Sequence, residues 1–310
     1  MARYFLVPKP VAERFAGLGR AVQALEGMLF SALFRLVGLL GTERAIRLSG
    51  AVFALLGPLS QKAVKAERNL QVAFPERDAR WRRDTVRGIF RSLGHAAGEL
   101  IKLEQIWAER DRRLRFSADA QAAALLEARA PCVFVCAHVG AWQLTNLIAR
   151  ERGLAITTVY APESNPALAD ALGRLRRAFG VALLPSDAGA RPLLRELRAG
   201  RSIGLAVDTR LATGQLLPFF GRDALTNTTP ARLALRAGAA LVPIHCRRGP
   251  GATFHVHVSD PLQPGAAAGD PEPQALDLSR QLNVRFEDWI RETPEQWICL
   301  KRRWPKAHRL

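Results

Sequence analysis

From Ala130 onward, short apolar runs alternate with helix-length segments, and this alternation restricts the fold more than any other feature of the chain. Val133-Phe134-Val135, Ile156-Thr157-Thr158-Val159-Tyr160, Ile203-Gly204-Leu205-Ala206-Val207 and Ala240-Leu241-Val242-Pro243-Ile244 have the length and β-branched content of buried strands. Strands separated by helices predict an α/β domain. Upstream the pattern is helical: Lys62 to Leu70 and Trp81 to Gln105 form two segments around Ala73-Phe74-Pro75-Glu76-Arg77-Asp78. Glu99 and Lys102 fall on one helical face, where a solvated ion pair is expected. Pro261 to Pro273, rich in Pro, Gly and Ala, reads as a surface loop.

The first of those strands leads into Ala137-His138-Val139-Gly140-Ala141-Trp142-Gln143. Gly140 permits a bent or close backbone approach, and Trp142 to Ile148 can start a helix, so His138 belongs at the carboxyl end of a strand. A neutral imidazole in that position can remove a proton from a hydroxyl as it attacks an activated acyl group, then return it to the leaving group. The competing reading is a histidine bonded to nearby backbone. Backbone N–H groups of Val139 to Ala141 are candidates for stabilising an oxyanion.

Lys and Arg number 45 against 28 acidic residues, a formal charge of +17, which favours anionic partners. No basic tail, cysteine-rich finger or basic-aromatic module directs that charge to nucleic acid. Cys132, Cys136, Cys246 and Cys299 form no paired CxxC array and fit reduced core residues. Met28 to Gly41 is apolar apart from Arg35, and a second apolar stretch covers Ala51 to Leu59. Neither reaches the roughly 20 uninterrupted residues of a spanning helix. The charged residues, Pro8 and Pro10 ahead of them do not make a secretory signal. The expectation is a membrane-associated helical region at residues 1–59, lying in the interface with basic side chains near phosphates. A buried helical hairpin is the alternative.

Ala66-Glu67-Arg68-Asn69-Leu70 followed by Ala73-Phe74-Pro75, then His138, Asn165-Pro166, Arg174-Leu175-Arg176-Arg177, Leu217-Pro218-Phe219-Phe220-Gly221 and Pro294 to Trp304 occur in a telling order. Together they resemble the bacterial lipid A biosynthesis acyltransferases, within the lysophospholipid acyltransferase superfamily. The resemblance runs from about residue 60 to 306. It implies one acyltransferase domain over 60–310 with a central, mostly parallel or mixed sheet. It also implies an enzyme moving a fatty acyl chain from an acyl carrier protein or coenzyme A thioester to a hydroxyl of an anionic lipid, a lipid A precursor being the leading acceptor. Another bacterial glycolipid or phospholipid is the alternative. The implied place is the cytoplasmic face of the bacterial inner membrane. No metal or other cofactor is implied, because the thioester supplies its own leaving group.

His138 carries over from the family pattern as general base. The pattern places an acidic residue five positions after it, where this chain has Gln143. An amide can orient an imidazole but supplies no full charge. Two further readings follow: Asp208, at the end of another strand, supplies the acid, or the protein is a weakly active or inactive membrane lipid-binding relative. Arg176 matches the family's substrate-binding arginine and has the fork that suits a phosphate, with Arg174 and Arg177 beside it. Phe219, Phe220 and Gly221 are expected at a wall of the acyl channel, ordinary core packing being the alternative, and Arg302 and Arg303 at an anionic headgroup.

Overall fold

The computed structural model describes residues 16–163, 165–265 and 270–305. Residues 1–15 of the N-terminal region, residues 266–269 of the predicted Pro261 to Pro273 loop and residues 306–310 lie outside the described part.

Twelve α-helices and nine strands follow one another among the described residues. Four helices come first: α1 (Ala16–Leu39), α2 (Thr42–Leu56), α3 (Gln61–Ala73) and α4 (Ala79–Ile101). Two short ones, α5 (Leu103–Ala108) and α6 (Arg110–Arg113), lead into β1 (Leu114–Ala118), α7 (Ala120–Glu127) and β2 (Cys132–Cys136). Next come α8 (Ile148–Arg152), β3 (Ile156–Tyr160), α9 (Pro166–Arg177), β4 (Ala182–Pro185), α10 (Ala190–Arg198) and β5 (Ser202–Ala206). The chain continues through β6 (Gln215–Phe219), β7 (Arg222–Thr226), α11 (Thr229–Ala237), β8 (Ala240–Gly249), β9 (Thr253–Val258) and α12 (Pro271–Glu292).

Seven strands form one sheet in the order β1-β9-β8-β2-β5-β3-β4. The β8–β9 pair is antiparallel and every other neighbouring pair is parallel, so the sheet is mixed. Side chains alternate across each strand. Val133, Val135, Ile203 and Leu205 therefore enter a core shared with α3, α11 and α12, whereas Phe134, Cys136, Ile156 and Ile244 enter the opposite core. Strands β6 and β7 make a separate hairpin. Its turn is Phe220 and Gly221, both at positive φ, the geometry of a tight two-residue connection.

The N-terminal helices require a correction. Among the described residues no helix is long and apolar enough to cross a membrane. Within the described part of the first 59 residues, α1 packs against α9 and α2 against α4, so both form a wall of the α/β unit. Thr42, Ala45, Ile46, Ser49 and Gly50 of α2 are buried, and Gly94 and Gly98 of α4 let the two backbones approach closely. A Cβ at Gly94 would stand 2.3 Å from the Ser49 carbonyl oxygen. The expected membrane-associated region is thus overturned. With it go the inner-membrane, cytoplasmic-face placement and the membrane as a partner.

The expected surface pair of Glu99 and Lys102 also gives way. Both are buried: Glu99 takes a two-pronged bond from Arg248, at 2.5 and 3.0 Å, and the Lys102 ammonium donates to the Gly38 carbonyl.

Candidate active site

Strands β2 and β5 are parallel neighbours with Cys136 opposite Ala206. The pairing continues one step further, where the Val207 N–H donates to the Cys136 carbonyl. His138 and Asp208, each two residues past its strand, consequently emerge side by side at the carboxyl edge, where open α/β sheets place their sites. The His138 Nδ1 stands 2.6 Å from Asp208 Oδ1, and the His138 backbone N–H donates to the same oxygen at 2.9 Å. The other carboxylate oxygen accepts the indole N–H of Trp297 at 2.9 Å.

Asp208 is 2% exposed, and burial alone would raise its proton affinity. Attraction to the His138 ring and three hydrogen bonds, from that ring, the His138 backbone and Trp297, outweigh burial and hold the carboxyl below its ordinary range. An ionised carboxylate only accepts, so the His138 Nδ1–H is the donor in this pair and Nε2 is the ring nitrogen left to accept a proton. The ring is one-quarter exposed and lies 5.5 Å from the Trp142 ring, centre to centre.

His138 opens onto a cavity of about 600 Å³. Its floor is the sheet face bearing Phe134, Cys136, Ile156 and Gly204, and its roof is Phe34 of α1, Phe53 of α2 and Ala97 and Leu100 of α4. Such a mainly apolar volume with few polar groups suits an aliphatic ligand. At its edge Arg176 donates to Glu163 at 3.2 Å and lies over the Tyr160 ring, 5.4 Å from the centroid. Of the three amides considered for an oxyanion, two are committed: Val139 N–H donates to the Ala137 carbonyl and Ala141 N–H to that of Cys246. Gly140, at φ +62°, packs against Cys246, where a Cβ would meet the carbonyl oxygen at 2.3 Å.

The model of the bacterial lipid A biosynthesis acyltransferase family matches residues 18–306. The chain belongs to that family. Among curated relatives, the phosphatidylinositol mannoside acyltransferase of Mycobacterium tuberculosis is 29% identical over 58% of this chain and 57% of its own length. That of Mycolicibacterium smegmatis is 28% identical over 58% of each chain. The lipid A biosynthesis acyltransferase of Haemophilus influenzae is 23% identical over 82% of this chain and 79% of its own. The match to the mycobacterial relatives spans somewhat more than half of their length.

Within this member of the family, the residues expected at the site divide. His138, Gln143 and Arg176 line the cavity, and Asp208 stands behind His138. The Gln143 amide donates to the Ala96 carbonyl at 3.5 Å, and among the described residues the His138 ring donates its side-chain hydrogen bond to Asp208, not to Gln143. Arg174 and Arg177 are exposed on α9 and do not line the cavity.

Phe219, Phe220 and Gly221 are also elsewhere. The two rings meet at 5.0 Å and pack with Trp297 and Trp304 on the other side of the sheet. Arg302 is half-buried away from the cavity. Arg303 is enclosed: its guanidinium donates to the Leu225 carbonyl and Thr226 hydroxyl and lies over the Phe219 ring, and burial pulls its pKa down to about 10. A cation so placed has no path to a headgroup.

All four cysteines are buried and free, with burial pushing the Cys132 and Cys136 thiols up to about 11 and 12. Among the described residues no group of three or more His, Cys, Asp or Glu side chains is arranged to hold a metal ion.

Trp297 and Asn69 are the site-shaping residues that sequence reasoning missed. Trp297 bonds Asp208 directly, and the next residue, Ile298, donates its N–H to the His138 carbonyl at 2.8 Å. Asn69 holds that C-terminal segment: its amide donates to the Cys299 and Lys301 carbonyls and accepts from the Arg303 N–H. The Arg68-Asn69-Leu70 and Pro294 to Trp304 motifs are therefore two halves of one joint. Their co-occurrence was the available signal, but neither carries the spacing of a catalytic motif.

Proposed function

We propose that this protein transfers a fatty acyl group from a thioester, carried by acyl carrier protein or coenzyme A, to a hydroxyl of a glycolipid acceptor. The observation that carries the reading is the His138–Asp208 pair at the mouth of the apolar cavity. The thioester's chain occupies the cavity. His138 Nε2 takes the acceptor's hydroxyl proton as its oxygen bonds to the carbonyl carbon. Asp208 holds the ring in that tautomer and stabilises the imidazolium that forms. As the carbon–sulfur bond breaks, the imidazolium returns the proton to the thiolate, leaving an ester and a free thiol. The Gly140 N–H faces the developing oxyanion in this scheme.

The acceptor reading is broader than the lipid A precursor implied by the sequence. The higher-identity relatives are named for a phosphatidylinositol mannoside and another relative for lipid A. A hydroxyl on a glycosylated, anionic lipid is common to both, and Arg176 at the cavity edge supplies a cation for such an acceptor once Glu163 gives way. The deciding assay offers acyl-carrier-protein and coenzyme A thioesters with either glycolipid to wild type and His138→Ala. Wild-type ester formation that disappears in a folded His138→Ala protein is the expected result. No transfer to either acceptor, or near-wild-type rates in the variant, would reject the reading.

A further inference from the structure

The cavity is not uniformly apolar. Gln143, Asn146 and Thr158 form a polar line along it. The Thr158 hydroxyl donates to Asn146 Oδ1 at 2.6 Å, and Asn146 Nδ2 donates to the Gln143 carbonyl at 2.9 Å. These bonds leave capacity unused. The Gln143 side chain has one contact at the outer limit of hydrogen bonding, 3.5 Å to the Ala96 carbonyl, and its Oε1 has no hydrogen-bond partner among the described residues. An Asn146 N–H and an acceptor position on Thr158 are also unspent.

Gly204 keeps this line open. It sits on β5 between Phe134 of β2 and Thr158 of β3, on the sheet face that floors the cavity. A Cβ there would stand 3.0 Å from Thr158 Oγ1 and 3.7 Å from Asn146 Oδ1, partly covering both. A plain alkyl chain laid against these groups would strip their water and return no hydrogen bond. A hydroxyl on the chain returns both a donor and an acceptor.

We infer that Gln143, Asn146 and Thr158 form a seat for a hydroxyl borne on the acyl chain, so that the cavity prefers hydroxylated fatty acyl groups over unsubstituted ones of equal length. The inference rests on the reading of this cavity as the acyl site. It also accounts for Gln143, since Asp208 holds His138 and the side chain at 143 is thereby released from the base to face the ligand.

Two measurements test it. In the first, a saturated fatty acid and its 2-hydroxy and 3-hydroxy counterparts are titrated into wild type and Thr158→Val by calorimetry. In the second, the matching thioesters are compared as donors by kcat/KM. At least one hydroxylated chain should bind and react about tenfold better than the plain chain in wild type, falling to near parity in Thr158→Val. Equal or weaker binding of both hydroxylated chains by wild type overturns the seat, whatever the variant does. A preference that survives in a folded Thr158→Val and in Gly204→Ala overturns this placement of it. Selective binding without transfer would retain the seat while rejecting the acyl-transfer reading, and unselective transfer would do the reverse.

Discussion

Replacing Asp208 by asparagine tests the electrostatics of the site with almost no change of shape. The carboxylate is 2% exposed, accepts from His138 Nδ1 at 2.6 Å and stays below the ordinary carboxyl range. Opposite unit charges about 4 Å apart attract by ~4 kcal/mol at an effective dielectric of about 20. Losing that attraction as the imidazolium forms predicts a fall in turnover of about a thousandfold. The amide can also turn its NH2 toward Nδ1 and favour the wrong tautomer, which adds to the loss. Affinity for the thioester should change far less, since Asp208 lies behind His138 and outside the cavity lining. Single-turnover transfer with a defined thioester and glycolipid, with thermal unfolding as a fold check, supplies both numbers. Gln143→Ala is the companion variant, and a loss well below that of Asp208→Asn is expected because Gln143 does not bond the ring. Turnover of Asp208→Asn within tenfold of wild type, or an equal loss in Gln143→Ala, would refute the assignment of the orienting acid.

Trp297→Phe removes one of the three hydrogen bonds that hold the Asp208 proton affinity down, so the acidic limb of the kcat/KM profile should move to higher pH; an unmoved limb would show that the indole is only packing. Arg176→Ala should raise KM for a phosphorylated acceptor more than Arg176→Lys, because lysine keeps the charge without the fork, and matching kinetics in both would remove Arg176 from acceptor binding. Gly94→Ala should cost about 1–3 kcal/mol in urea unfolding, since the added Cβ meets the Ser49 carbonyl and α2 must shift; an unchanged midpoint would contradict that packing. His245 is 7% exposed, stacked on Trp289 at 4.5 Å, and lowered to about 3, chiefly by burial. Below about pH 6.5 the unfolded chain gains a proton that the folded chain refuses until about pH 3, so stability falls as pH falls through that window. His245→Phe should therefore lose less stability than wild type between pH 7 and pH 4.5, by up to ~3 kcal/mol, and equal losses would refute the assignment.

Continuous apolar runs brought the sheet into view because β2, β5 and most of β8 are buried on both faces and β3 is buried over its first half. His138 was legible for that reason: a histidine leaving such a run has one edge of the sheet available to it. Its partner was less so, because strand order is not written locally. Asp208 lies 70 positions away and becomes adjacent only through the β2–β5 pairing. The family spacing suggested Gln143 instead, but the chain enters a 3-10 helix at Trp142 and carries that amide past the histidine toward Ala96. Phe219 and Phe220 follow the core reading and not the channel reading for a related reason. An aromatic pair before glycine suits a channel wall, yet the long-range pairing with Trp297 and Trp304 puts both rings in the other core. Arg303 looked like a surface cation because arginine usually is one, and its burial depends on the C-terminal segment folding back over Asn69.

That fold-back links stability to chemistry. Asn69 donates its amide N–H groups to two carbonyls of the C-terminal segment and accepts an N–H in return, while two residues of the same segment, Trp297 and Ile298, link that joint to Asp208 and the His138 loop. Breaking the joint exposes buried polar groups, so Asn69→Leu should lose more than a single hydrogen bond's worth of stability, about 2–4 kcal/mol. It should also free Trp297 from Asp208 and Ile298 from the His138 carbonyl, lowering turnover in the fraction that remains folded. Asn69→Asp keeps the acceptor for the Arg303 N–H but loses both donors, and it separates the two halves of the joint. Hydrogen exchange of the Ile298 and Arg303 amides reads each half directly. If both amides stay as protected in Asn69→Leu as in wild type, the segment is held by its aromatic packing alone and the joint has no part in positioning the base.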